Sequence, residues 1–301
     1  MHLLPAHGIR LPELSHPLRT IGGRTFDFSR EVAVMAVINR TPDSFYDQGA
    51  TFALDAAIAA SLTAIAEGAD WVDIGGVKFA PGPAVPIAAE IDRIVPVVES
   101  LRGTGVVISV DTFHPEVALA GIRAGAHVIN DTTGVSNPRM AQVVADSDAT
   151  LVITHSLAAP RTAYPSPQYG DVVADVLAFL RERVALATGL GVPPERIIVD
   201  PGHDLNKNTR HSLEITRRLG EIAALGLPTL VAVSNKDFVG ETIGRERGAR
   251  IEGSLAAAVT CILQGARIVR MHNVRAAVDA VRMTEGILGF REPAYLRHNI
   301  A

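Results

Sequence analysis

Residues 106–131, VVISVDTFHPEVALAGIRAGAHVIND, decide the fold. Two short apolar runs, 106–111 and 126–131, flank a helical pattern over 115–124, and Gly125 stands just past its last turn, where glycine closes helices. The runs are almost continuously apolar, which predicts strands buried on both faces of a parallel sheet. A strand, a helix and a strand in that order make the crossover that parallel neighbours require. The same alternation continues in both directions. Further strands are predicted at 33–39, 70–75, 150–155, 196–200, 229–234 and 266–272. Helical stretches are predicted between them, for example at 53–67, 88–102, 171–189 and 209–224. Eight strand–helix units predict a closed (β/α)8 barrel rather than an open sheet. The barrel is assigned to residues 32–301 as a single domain. Residues 1–31 form an extension whose TIGGRTFDF segment reads as hairpin-like and is expected to close the barrel bottom.

The chain has 301 residues, enough for such a barrel and a large core. Its formal net charge is −4, with both signs interspersed and no basic run, so neither nucleic acid nor a membrane surface is an expected partner. The longest apolar run, SLAAAVTCIL, is too short to span a bilayer and lies in a helical pattern. The one cysteine, Cys261, excludes an internal disulfide and a cysteine-based metal cluster and reads as helix packing. The first ten residues lack the charged and apolar regions of a secretion signal, and a cytoplasmic location is expected.

Each predicted strand ends in polar groups: Asn39, Asp73, Asp111, Asn130 with Asp131, His155, Asp200, Ser234 with Lys236 nearby, and Arg270 with His272. In a (β/α)8 barrel these ends converge on one face, where the site lies. Turn and capping chemistry alone would account for Asp73, Asp131 or Ser234 taken singly. It accounts less well for Arg270 and His272, two residues apart on one strand and so aimed to the same side. Asp111, Asp200 and Asn130 suit a flat heterocycle rich in N–H donors, because an ionised carboxylate only accepts. Lys236 would donate to a carbonyl of that ring, and Arg270 would stack on its face. Arg270 and His272 follow the last strand, where such barrels often bind phosphate. Asn39 offers a neutral oxygen to a Mg2+ that keeps most of its waters. No HxH, HExxH or Cys/His spacing points to a tightly held transition metal. The residues therefore describe a site for a fused amino-oxo-pyrimidine beside an anionic, phosphorylated group.

The ordered motifs NRTPDSFYDQG, DIGGVKFAPG, SVDT, INDTTG, DPGHDLNKN, SNKDF and RMHNV resemble those of the dihydropteroate synthase family, from about residue 33 to 275. The resemblance implies a (β/α)8 barrel, a homodimer, and the joining of p-aminobenzoate to 6-hydroxymethyl-dihydropterin diphosphate with Mg2+ and release of pyrophosphate. By motif position, it assigns Asp111, Asn130, Asp200 and Lys236 to the pterin ring. Asn39 falls to Mg2+ and diphosphate, and Arg270 and His272 to the diphosphate. Lys236, Arg270 and His272 are thereby the candidate catalytic groups, since a departing diphosphate must be stabilised while a weak aniline nucleophile is positioned.

The departures from the family pattern fall on the side of the second substrate. Where the family reads Gly-Gly-Glu-Ser-Thr-Arg-Pro-Gly, this chain has Val77, Lys78, Phe79 and Ala80 between the glycines and Pro81. An aromatic that packs on the benzoate ring is replaced by Leu205, while Lys207 is kept as a substrate-binding candidate. An arginine is replaced by Asn235, and a serine that meets the benzoate carboxylate by Asp237, whose charge is expected to repel it. The first loop keeps Asp43 and Phe45 but has Arg40 in its NRT. The pattern resembles the divergent second dihydropteroate synthase homologue of actinomycetes. Three readings stay open: a synthase with a remodelled amine site in which Lys78 replaces the lost arginine, a pterin-binding homologue without that activity, and a methyltetrahydrofolate methyltransferase-like barrel.

Overall fold

A computed structural model describes residues 9–39 and 54–299. It opens with an antiparallel hairpin of β1 (Leu18–Ile21) and β2 (Arg24–Asp27). The two-residue Gly22-Gly23 turn has both φ angles positive, the geometry that tight hairpins demand.

Eight parallel strands then close into a barrel: β3 (Ala33–Asn39), β4 (Trp71–Gly75), β5 (Val107–Asp111), β6 (Val128–Asp131), β7 (Thr150–Thr154), β8 (Ile197–Asp200), β9 (Thr229–Val231) and β10 (Ala266–Met271), which returns to pair with β3. The helices between them are α1 (Leu54–Ala66), α2 (Ile87–Ser100), α3 (Pro115–Ala124), α4 (Arg139–Ala145), α5 (Val172–Gly189), α6 (Thr209–Arg217), α7 (Leu219–Ala223), α8 (Asp237–Ile243) and α9 (Ile251–Leu263), and α10 (Val274–Ile287) follows β10. The predicted barrel and its eight strands are therefore present. Most bounds agree within two residues, and two elements differ by more. The strand expected over 229–234 ends at Val231, because the chain turns toward the barrel mouth at Ser234 and Asn235, the latter with φ 56°. The helix expected over 209–224 breaks at Arg218 into α6 and α7.

Side chains alternate across each strand, so the register sorts them into layers. Met35, Trp71 and Val107 lie side by side and join Val128, Val152, Ile198, Leu230 and Ile268 in one apolar cluster inside the barrel. Phe26 and Phe28 belong to the same cluster, with ring centroids 5.6 Å apart, and Phe26 meets Trp71 edge-on at 5.8 Å. The hairpin's aromatic side chains thus pack on the barrel's first inward layer. The outward residues, such as Val34, Val72, Ile108 and Ile129, bury against the helices in a second cluster. Toward the strands' C-terminal ends the inward positions become polar. Asn39, Gly75, Asp111 and Asn130 pair in one row across four neighbouring strands. No described helix is long and apolar enough to cross a membrane.

Candidate active site

Asp73, at the centre of β4, organises the polar layer. It is fully buried and accepts from Ser109 Oγ at 2.6 Å, Asn130 Nδ2 at 3.1 Å and Arg270 Nε at 2.6 Å. Arg270 donates with its other arm to Asp111 Oδ2 at 3.1 Å. The guanidinium is thereby pinned between two carboxylates, which fixes its plane at the mouth. Turn chemistry had been enough to explain Asp73 from sequence. The signal for more was its phase: Asp73 pairs with Ser109 across β4 and β5, two residues before the row that contains Gly75 and Asp111.

Above this layer lies a slot of about 560 Å3, lined among others by Asp111, Asn130, Thr154, Asp200, Lys236 and Arg270. The structure therefore brings together the four residues that the sequence assigned to a ring. Asn130 Oδ1 and Thr154 Oγ1 are buried here with no hydrogen-bond partner in the protein, although such groups are nearly always satisfied. Asp200 accepts from the Gly202 N–H at 2.7 Å, and burial still lifts its carboxyl to about 6, despite that bond and the charges of Lys236 and Lys207. Burial and the neighbouring Asp73 charge raise the Asp111 carboxyl, against the pull of Arg270. Burial pushes the Lys236 ammonium below its ordinary range. The floor is thus rich in acceptors, two of them unmatched, with the Lys236 ammonium among them. A flat ring carrying several N–H groups and a carbonyl satisfies that set.

A smaller chamber of about 230 Å3 adjoins the slot, lined by Val37, Asn39, Lys78, Ala232, Ser234, Asn235, Lys236, Arg247, Arg270 and His272. The lining contains cations and neutral amides but no carboxylate, the composition of an anion site. His272 is held by Ser234 Oγ, at 3.1 Å from its backbone N–H and 3.0 Å from its ring Nδ1. Asn235 turns its side-chain amide into buried surroundings where neither polar atom has a hydrogen-bond partner. Among the described residues no three His, Cys, Asp or Glu side chains gather to hold a metal. Asn39 stands in the mouth row beside Gly75, where a Cβ would lie 3.6 Å from its Oδ1 and 3.8 Å from Asp111 Oδ2. A neutral oxygen at the rim of an anion chamber fits a hard cation carried mainly by phosphate oxygens and water.

Several residues are placed otherwise than expected. Lys207, a candidate for substrate, directs its buried ammonium to His155 Nδ1 at 2.8 Å, Gly202 O at 2.9 Å and Leu205 O at 3.0 Å. Three N–H groups meet three acceptors, so Lys207 holds the DPGHDLNKN loop in shape while its side chain lines the slot. Burial, followed by the Lys207 charge, keeps the His155 ring neutral. Asp131 faces away from the slot and accepts from the backbone of Thr133 and Val135, closing the turn after β6. Lys78 lines both chambers, and Leu205 lines the larger one. Arg40, Asp43 and Phe45 lie outside the described residues.

Asp237 also departs from expectation. It opens α8 and is paired with Arg247 at 3.0 Å and Arg250 at 3.0 Å, so its charge is not left to act on a bound carboxylate. Burial would raise its carboxyl, but the hydrogen bonds and charges of Arg250 and Arg247 outweigh it and hold the group below its ordinary range. Arg247 lines both chambers, a contribution from outside every quoted motif. Simple repulsion at Asp237 would have made its removal worth some 30-fold in p-aminobenzoate binding. With two guanidinium partners in place, Asp237→Ser is expected to change p-aminobenzoate affinity by less than about threefold, measured by calorimetry at low salt.

Comparison with known proteins follows the same lines. A family model described as pterin binding enzyme matches residues 35–272. The chain is 44% identical over 278 residues to a Mycobacterium leprae protein named inactive dihydropteroate synthase 2, covering 90% of this chain and 95% of that one. It is 36% identical over 272 residues to Escherichia coli dihydropteroate synthase, covering 90% and 96%. The structure superposes on Xanthomonas albilineans dihydropteroate synthase with 4-aminobenzoic acid at a TM-score of 0.83 and 38% identity, covering 90% of this chain and 98% of that one.

Proposed function

The chain belongs to the pterin-binding enzyme family, with a dihydropteroate synthase-type transferase fold, and we propose that it binds a 6-hydroxymethyl-pterin diphosphate while condensing p-aminobenzoate weakly or not at all. The observation that carries this reading is the acceptor-rich floor, where Asn130 Oδ1 and Thr154 Oγ1 lack partners beside Asp111 and Asp200. In this reading the ring's N–H edge lies against Asp200 and Asn130, Lys236 donates to its carbonyl, and the diphosphate enters the chamber of Arg270 and His272. Arg270, fixed by Asp73 and Asp111, and His272 are the N–H donors for the diphosphate oxygens. Mg2+, where bound, would screen the same oxygens, with the Asn39 amide as its protein ligand.

The altered side is the amine's. Val77–Ala80 and Leu205 bring neither the hydroxyl and guanidinium nor the aromatic of the family pattern, and relatives of similar sequence are named inactive. A working synthase with a remodelled amine site is the second reading, favoured by the cations Lys78 and Arg247 that line the larger chamber. The homodimer belongs to the same proposal. Met283 and Ile287 on α10, 66% and 58% exposed, are apolar surface for a second copy to cover, which sedimentation velocity tests.

Calorimetry in Mg2+ with pterin diphosphate and p-aminobenzoate, separately and together, decides between the readings. Tight pterin binding without turnover supports the proposal, turnover supports the remodelled synthase, and absence of pterin binding removes both. The diphosphate form is expected to bind at least tenfold more tightly than the plain hydroxymethyl form, a preference that shrinks as salt is raised. Equal affinities would dismiss the anion chamber and leave the methyltransferase-like reading.

A further inference from the structure

Arg161 lies in the segment between β7 and α5, outside every motif that points to pterin. Its side chain reaches the segment that follows β4, and in the closed barrel β5 and β6 stand between those two strands. Its Nη1 donates to Lys78 O at 3.1 Å and to Ala80 O at 2.8 Å, and its Nη2 donates to Pro83 O at 2.9 Å. Its backbone N–H donates to Phe79 O at 2.9 Å. Four hydrogen bonds therefore join two segments across the mouth, three of them from a charged group. Arg161 itself adopts φ 64°, a left-handed conformation that non-glycine residues hold only when their surroundings enforce it.

Gly82 completes the arrangement. A Cβ there would stand 2.2 Å from Arg161 Nη2, so the guanidinium occupies the space that a side chain would need. Behind Arg161 the segment is anchored in turn. Asn206 Oδ1 accepts from the N–H groups of Leu157 and Ala158 at 2.9 Å, and Tyr169 Oη donates to Asn206 O at 2.9 Å. Phe79 and Pro81 from one side, and Tyr164 and Pro165 from the other, line the slot that the two segments cover.

We propose that Arg161 is a positioning residue that clasps residues 78–83 over the slot, so that a ligand enters and leaves only when the clasp opens. All four bonds end on backbone carbonyls, and Arg161 is not among the residues that line the slot, so the clasp itself makes no contact with a bound ring. Breaking it therefore lowers the barrier in both directions and leaves the equilibrium nearly unchanged. This separates it from a residue that merely supports the fold or touches the ligand, whose loss would raise Kd. The ligand arm of the test rests on the pterin reading above, whereas the clasp itself does not.

The test uses the full chain with Arg161→Ala, Arg161→Lys and Gly82→Ala. Stopped-flow fluorescence with 6-hydroxymethyl-pterin is expected to show association and dissociation each on the order of tenfold faster in Arg161→Ala and Gly82→Ala, with Kd within about threefold of wild type. Arg161→Lys, with one ammonium in place of a fork, is expected to fall between. Trypsin cleavage after Lys78, followed without pterin, is expected to accelerate about tenfold in the same two variants. If wild type binds no pterin, the functional reading fails and the trypsin rates still judge the clasp. Unchanged trypsin cleavage in both Arg161→Ala and Gly82→Ala overturns the proposal, as does a rise in Kd that comes from dissociation alone.

Discussion

Asp73→Asn is expected to destabilise the folded protein by about 3 kcal/mol, the low end of the cost of breaking a buried ion pair. Asp73 is completely buried and answers three donors at once: Ser109 Oγ, Asn130 Nδ2 and Arg270 Nε. The amide keeps one oxygen but turns an N–H2 group toward donors and removes the charge that balances Arg270. Asp111 remains as a partner of Arg270, so the loss falls short of stranding a bare charge. Urea unfolding monitored by circular dichroism measures the cost. The double variant Asp73→Asn with Arg270→Met should recover part of it, because the guanidinium that has lost the nearer of its two carboxylates is removed as well. A loss below about 1 kcal/mol in Asp73→Asn would mean that Asp73 does not organise this layer.

The second large effect concerns Asp200. Asp200→Asn is expected to weaken pterin binding by about 2–3 kcal/mol, some 30- to 150-fold, since an acceptor for the ring's N–H edge becomes a donor facing a donor. The same substitution should remove a pH dependence. Burial raises the Asp200 carboxyl to about 6 in the folded state, against about 3.9 in an unfolded chain. The folded state thus favours the protonated form. Its contribution to stability is fully present below about pH 4 and is lost as pH rises through about 6. The shift corresponds to about 3 kcal/mol across that window, which urea melts at pH 4 and pH 7 read as the difference between wild type and Asp200→Asn. Pterin affinity runs the opposite way. It should rise with pH through about 6 as the accepting carboxylate forms, and be flat in the variant. Unaltered pterin affinity in Asp200→Asn would withdraw Asp200 from the site.

The barrel was readable because its evidence is local. Continuous apolar strands, helical patterns between them and glycines past the helix ends all act within a few residues, and the strand over 33–39 was found to the residue. The shortened β9 was less readable, because the turn into the mouth at Asn235 interrupts a run that is still apolar. The convergence of polar groups was also legible, because groups at successive strand ends need only barrel closure to meet, and Asp111, Asn130, Asp200 and Lys236 line one slot.

What the sequence by itself determined, then, is the barrel and the chemical character of its mouth, since strand phase and residue type suffice for both. Only the tertiary structure decided which partner each charge takes. The Lys207 ammonium, available to a substrate by sequence alone, takes His155 and two carbonyls of its own loop as partners. Asp237, repulsive by sequence alone, is paired with Arg247 and Arg250, one of them 13 residues further along the chain. Arg161 left no trace in any motif, because its acceptors are backbone carbonyls, which every residue carries and which only the folded chain brings within reach of a single guanidinium.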